Sequence, residues 1–116
     1  LEESLEDRVA RFHLQQDVIW LGFRKDVQNV MNQLDLIVLS SLWEGLPLTP
    51  IEAFSVGKTV VGTSVDGTVE IIDDGVNGYL IPPRDSNAIA EKCVALAEDR
   101  DKLEQFDLAA KYYEEL

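Results

Sequence analysis

Apolar residues along the chain alternate between continuous runs and spaced positions, and this alternation predicts strands that are followed by helices. Continuous or β-branched runs predict buried strands at 17–23, 34–40, 58–63 and 78–81. Apolar residues spaced as on one helix face predict helices at 1–13, 27–34, 51–56, 68–73 and 85–97, before one or two acidic helices at the end. This order predicts a parallel sheet with helices on both faces.

The predicted fold class is α/β, a Rossmann-like three-layer α/β/α arrangement with a mainly parallel sheet. The chain opens with a helix that has no strand before it, and its four predicted strands are fewer than the roughly five or six of a doubly wound domain. We therefore expect residues 1–116 to be part of one domain that is truncated at its N-terminus.

Composition narrows the function classes. Hydrophobic residues make up 46% of the chain and charged residues 28%, as in soluble globular domains, and no apolar run is long enough for a membrane span or a secretory signal. A single cysteine excludes an internal disulfide and gives no metal cluster. A net charge of −12 argues against nucleic acid or an anionic membrane as partner of this segment. We expect a cytoplasmic location.

One loop combines the residue types needed for a ligand site. It contains Glu44 and Gly45, leaves the predicted strand that ends at Ser40, and leads to Glu52 on a short helix. In open α/β sheets such loops bind ligands. A carboxylate can accept from both hydroxyls of a diol, a glycine permits close backbone approach, and a helix N-terminus attracts phosphate. The sequence therefore predicts a ligand site at this loop.

Structural roles compete with these functional ones. Thr49 and Glu52 fit the first and last positions of a capping box, and Glu44 taken alone fits a solvated loop acid. Glu70 fits either a contact beside a bound phosphate or a favourable charge in the first turn of its helix. Gly67 fits either a close approach to a ligand or a turn. Packing roles are favoured for His13, Trp43 and Cys93.

Several motifs gain specificity from their combination. They are the strand 35–40 ending in serine, the pair Glu44 and Glu52 with Gly-Leu-Pro after the first, the Glu-Ala-Phe helix that ends in Gly57, the loop 66–71, and the segment 74–83. Together they resemble the retaining glycosyltransferases of family 4, which have the GT-B fold. Asp66 replaces the first glycine of the family's Gly-Gly-x-x-Glu-Ile loop. The resemblance covers about residues 17–97.

The resemblance implies the C-terminal, donor-binding half of an enzyme that transfers a sugar from a nucleoside diphosphate sugar. The acceptor would be a glycan, a lipid-linked molecule or a small molecule, and the anomeric configuration would be retained. Glu44 would be catalytic by orienting the donor sugar, and Glu52 would hold the ribose hydroxyls. Further donor contacts would come from Gly45, Leu46, Leu48, Thr49, Gly67 and Glu70. No metal, cofactor or covalent protein nucleophile is expected.

The resemblance also implies an acceptor-binding N-terminal domain in the same protein, through which any contact with the inner membrane face would be made. From Leu42 to Phe54 the sequence has no lysine or arginine, and Lys58 lies beyond a helix that spans about 12 Å. We therefore expect this chain alone to bind the donor weakly and to lack transferase activity. Two alternatives stay open: a noncatalytic Rossmann-like binding module and a GT-B sugar-nucleotide epimerase.

Overall fold

The computed structural model describes residues 4–40 and 48–112, and Leu48 and Thr49 by their backbone alone. The elements in these ranges are α1 (Leu5–Arg11), α2 (Val27–Asn32), β1 (Ile37–Leu39), α3 (Leu48–Ser55), β2 (Val60–Thr63), α4 (Thr68–Ile71), β3 (Gly78–Ile81), α5 (Ser86–Glu98) and α6 (Arg100–Lys111). No helix within them has the length and apolar character to cross a bilayer.

The described strands form one parallel sheet in the order β1-β2-β3. β2 lies in the centre, where all four of its residues are buried. The register pairs Val60 with Ile37 on one side and with Gly78 on the other. A Cβ atom at Gly78 would lie 2.0 Å from the carbonyl oxygen of Val60. This pairing therefore requires glycine at the start of β3.

Helices cover both faces of the sheet, which confirms the predicted three-layer arrangement. Successive residues of a strand point to opposite faces, so Val60 and Val61 enter different clusters. The cluster around Val60 includes side chains from α2, α3 and α4, with Phe54 of α3 only 1% exposed. The cluster around Val61 includes Leu96 of α5 and Phe106 of α6. The core thus lies on either side of β2.

The predicted strand at 17–23 is wrong. Residues 18–23 form no strand, and the side chains of Ile19 and Phe23 are 81% and 93% exposed. A strand needs a neighbour to pair its backbone N–H and C=O groups, and no described strand pairs with this segment. The apolar run indicated a tendency to be buried, but burial also requires a surface to pack against.

The helix boundaries differ from the predicted ones in detail. α1 begins after Ser4, whose Oγ accepts from the N–H of Asp7 at 3.1 Å, and none of its residues is buried. α3 begins at Leu48, so Thr49 lies inside the first turn and the predicted capping box, with Thr49 as N-cap, is wrong. At the start of α5, where Asp85 and Ser86 both have the residue type of a cap, Asp85 is the cap, because its carboxylate accepts from the backbone N–H of Ala88 at 2.9 Å.

Asp107 anchors α6 to the residue before β2. Its Oδ1 atom accepts from the backbone N–H of Thr59 at 2.9 Å and from the Thr59 hydroxyl at 2.5 Å. Thr59 is fully buried, so no water can replace this partner without a rearrangement. The carboxylate therefore satisfies two buried donors at once.

We expect Asp107→Ala to lower the free energy of unfolding of the chain by about 2–3 kcal/mol, since it leaves the two Thr59 donors buried without an acceptor. Urea denaturation followed by circular dichroism measures this change. The matched control is Glu104→Ala at an exposed position about one turn earlier on α6, which should change the unfolding free energy by less than about 0.5 kcal/mol. Equal effects of the two substitutions would contradict the anchoring role.

Candidate functional site

The carboxyl ends of β1 and β2 carry the segments predicted to bind a ligand. α3 follows the loop that leaves β1, and α4 follows β2 after a short connection. Since β1 and β2 are adjacent and parallel, both connections leave the same edge of the sheet, where ligands bind in open α/β folds. Glu44, Gly45 and Leu46 lie outside the described residues, and their roles stay predictions.

The N-terminus of α3 lies at this edge. Helix geometry leaves the first N–H groups, including those of Leu48 and Thr49, without an intrahelical acceptor, and the helix dipole adds partial positive charge there. Pro50 is buried and has no N–H to satisfy. The first turn can therefore donate to an anion from its backbone, as predicted for a diphosphate.

Glu52 lies on α3 one turn after Leu48 and is half-buried. It faces a cavity of 370 Å³ whose other described wall is the segment 25–29, which leads into α2. No side chain in the described part of the chain donates to the Glu52 carboxylate, and the hydroxyl of Ser55 donates to the backbone carbonyl of this residue instead. The carboxylate thus keeps its acceptor capacity for a ligand, in a cavity of the size that small molecules occupy.

A hydrogen-bond chain holds the two walls of this cavity together. Gln28 Nε2 of α2 donates to Ser55 Oγ of α3 at 3.1 Å. Ser55 Oγ in turn donates to the backbone carbonyl oxygen of Glu52 at 2.6 Å. The position of α2 relative to Glu52 is therefore fixed by contacts at the last turn of α3.

The segment 24–29 at the cavity beside Glu52 carries an ion pair, Arg24 with Asp26, and one further charged residue, Lys25. Arg24 Nε and Nη2 donate to the two carboxylate oxygens of Asp26, each at 2.7 Å. This hydrogen bonding lowers the pKa of Asp26 below its usual value, so that the carboxylate stays ionised and paired. Lys25 lines the cavity and has no ion-pair partner among the described residues.

Lys25 is the cavity residue that the sequence analysis missed. The lysine nearest to Glu52 along the chain is Lys58, whereas Lys25 reaches the cavity through the packing of α2 on α3. The one feature of the sequence that could have pointed to Lys25 is the basic pair Arg24-Lys25 directly after the apolar run 17–23.

Gly67 has a structural role at the start of α4. Its backbone adopts φ 97° and ψ −54°, a conformation that residues with a Cβ rarely adopt. The buried Thr68 Oγ1 lies 2.8 Å from the carbonyl oxygen of Val65 and accepts from the Val65 N–H at 3.2 Å, which closes the turn. The turn explains the glycine, and a donor contact by Gly67 stays a prediction.

Glu70 lies at a different cavity from Glu52. It is exposed and lines a cleft of 650 Å³ together with Asp73, Asn77 and Tyr112 at the end of α6. Glu52 does not line this cleft, so the structure does not bring the two glutamates to one cavity. A donor contact by Glu70 stays a prediction.

The segment 74–83 is explained by folding. Asp74 Oδ1 accepts from the backbone N–H of Leu80, and Asn77 Oδ1 accepts from that of Asp73, both at 2.8 Å. Gly75 has φ 82°. These contacts form the turn that starts β3.

In the ranges 4–40 and 48–112, the structure shows no group of three or more histidine, cysteine, aspartate or glutamate side chains that could hold a metal ion. The expectation of a reaction without metal stays a prediction, since Glu44 lies outside these ranges.

Comparison with known proteins extends these findings. Residues 1–99 match the sequence profile of the family Glycosyl transferases group 1. Over 104 residues, 88% of this chain, the sequence is 33% identical to the lipopolysaccharide core biosynthesis mannosyltransferase LpsB of Rhizobium meliloti, of which it covers 30%. The chain thus spans about a third or less of the curated relatives it matches.

Two solved structures are similar to the fold over almost the whole chain. HepE from Anabaena, crystallised in complex with UDP, is 31% identical with a TM-score of 0.89, over 92% of this chain and 30% of HepE. The C-terminal domain of the group 1 glycosyl transferase LpcC from Francisella tularensis is 29% identical with a TM-score of 0.87, over 94% of this chain and 57% of that one.

Proposed function

The chain belongs to the Glycosyl transferases group 1 family, and on that premise we propose that it forms the donor-binding part of an enzyme that transfers a sugar from a nucleoside diphosphate sugar to an acceptor. Glu52 holds the ribose hydroxyls, the first turn of α3 receives the diphosphate, and Glu44 orients the sugar. Transfer proceeds with retention of the anomeric configuration and without a metal ion, in the cytoplasm.

The observation that carries this proposal is the half-buried Glu52 carboxylate, which faces a cavity and has no donor among the described residues. A carboxylate without a protein partner in such a position matches a ligand that brings two hydroxyl donors. It lies one turn from a helix N-terminus that suits a phosphate, so the two ends of a nucleotide find complementary groups on one helix.

The comparisons support the same ligand class. HepE was crystallised with UDP and also with UDP-glucose. The similar LpcC structure is a C-terminal domain. We therefore propose that the acceptor binds to an N-terminal domain of the same protein.

The function is tested by titrating the full-length protein with UDP, GDP and ADP in a calorimeter and by assaying the matching sugar nucleotides as donors. We expect one diphosphate to bind in the micromolar range and its sugar nucleotide to be consumed. Proton NMR of the product should show the anomeric configuration of the donor. The isolated chain should bind the same diphosphate more weakly and transfer no sugar.

Distinct results would contradict distinct parts of the proposal. Absence of nucleotide binding by the full-length protein would rule out the donor site. Binding without sugar transfer to any acceptor would favour a noncatalytic module. An inverted product would leave the donor site in place and rule out retention.

A further inference from the structure

We propose that Lys25 is a nucleotide-binding residue, whose ammonium group donates to an oxygen of the nucleotide that Glu52 holds. This inference rests on the proposed function and adds to it a residue from outside the loop of Glu44 and Glu52. Lys25 and Glu52 line the same cavity, one from each wall. A ligand that fills this cavity and binds the carboxylate therefore lies beside the lysine.

Charge balance favours a cation beside the bound nucleotide. The chain carries a net charge of −12, and a nucleoside diphosphate is itself an anion that Glu52 repels. Backbone N–H groups of α3 supply only partial charges. Lys25 supplies a full positive charge in the lining of the same cavity, where it offsets the negative charge of Glu52 when a nucleotide binds.

The neighbouring basic groups are occupied or placed elsewhere. Arg24 is held by Asp26 through two hydrogen bonds. Lys92 lies 4.5 Å from the ring centroid of Tyr79, away from the cavity. Lys58 does not line the cavity. Among the basic residues that the structure describes at this cavity, Lys25 alone combines a place in its wall with a free ammonium group.

The fold positions the backbone of Lys25 relative to Glu52. Gln28, three residues after Lys25, donates to Ser55 on α3, and Ser55 donates to the backbone of Glu52. The Arg24–Asp26 ion pair joins the side chains of the two residues that flank Lys25. The ammonium group therefore stands at the end of a flexible side chain on a backbone that is tied at both sides.

The experiment compares Lys25→Ala, Lys25→Arg and the control Lys102→Ala in the full-length protein. Lys102 is exposed on α6 and lines no cavity near Glu52. Calorimetry measures the affinity for whichever of UDP, GDP and ADP binds, and for its nucleoside. We expect Lys25→Ala to weaken diphosphate binding about tenfold, as for loss of one charged hydrogen bond, while Lys25→Arg keeps most of the affinity and the control all of it.

Comparing the diphosphate with its nucleoside shows which oxygen of the nucleotide Lys25 contacts. A loss confined to the diphosphate, with a weaker salt dependence in Lys25→Ala, would assign the contact to phosphate. An equal loss for the nucleoside would assign it to the base or the ribose. If Lys25→Ala binds both ligands with wild-type affinity while the separate variant Glu52→Gln binds them poorly, the role of Lys25 is overturned and the proposed function is not. Failure of the unmodified protein to bind any nucleotide would overturn the proposed function with it.

Discussion

Glu52→Gln in the full-length protein is expected to weaken nucleoside diphosphate binding about a hundredfold. The carboxylate accepts from two ribose hydroxyls in the proposed complex, and hydrogen bonds to a charged group contribute about 1.5–3 kcal/mol each. Loss of about 3 kcal/mol corresponds to two orders of magnitude in Kd. Calorimetric titration of the two proteins measures the difference. Because no described side chain binds this carboxylate, the substitution should leave the melting temperature almost unchanged.

A double-mutant cycle with the ligand separates a ribose contact from a general charge effect. The 2′-deoxy nucleotide lacks one of the proposed donors, so Glu52→Gln should weaken its binding much less than that of the ribonucleotide. Glu104→Gln, at an exposed position of α6 away from the cavity, is the control for removal of one negative charge. An equal loss for both nucleotides, or an equal effect of the control, would contradict the ribose contact.

Glu44→Gln is expected to lower kcat for sugar transfer about 10²–10³-fold, the range found when one group that stabilises a transition state is removed. The nucleoside diphosphate should still bind with a Kd within about twofold of the original, because the proposed contact of Glu44 is to the sugar and not to the nucleotide. Steady-state kinetics with the sugar nucleotide and calorimetry with the diphosphate measure the two quantities separately.

The two glutamates should thus give opposite patterns: Glu44 affects turnover and Glu52 affects nucleotide affinity. Glu98→Gln at the exposed end of α5 serves as the control and should change neither. Unchanged sugar transfer by Glu44→Gln would refute its catalytic role and leave the donor site intact. Parallel losses of turnover and diphosphate affinity would place Glu44 at the nucleotide instead.

The parts of the fold that the sequence predicted well are those with local signals. β3 lies at the predicted residues because turn-forming residues precede it and two prolines follow it. Gly57 follows α3 with φ 71°, as expected of a glycine that ends a helix. The Asp85 cap of α5 is a local contact as well. Each of these signals acts over a few neighbouring residues.

One wrong prediction concerns a feature that depends on another segment, and the other concerns a helix boundary. The run at 17–23 has the composition of a buried strand, but no described strand pairs with it. Thr49 has the residue type of an N-cap, yet α3 begins one residue before it, where Pro50 can still occupy the first turn at no cost in hydrogen bonds.

By itself, the sequence determined that Glu52 would stand near the start of a helix behind a strand, since both elements follow from local apolar patterns. It also indicated the glycine that ends this helix, Gly57, and the turn residues that precede β3. Only the tertiary structure decided that Lys25 and Glu52 line one cavity and that Glu70 lies at another cleft. The physical reason is that these neighbours are set by the packing of α2 on α3 and of α4 beside α6, contacts between segments far apart in the chain.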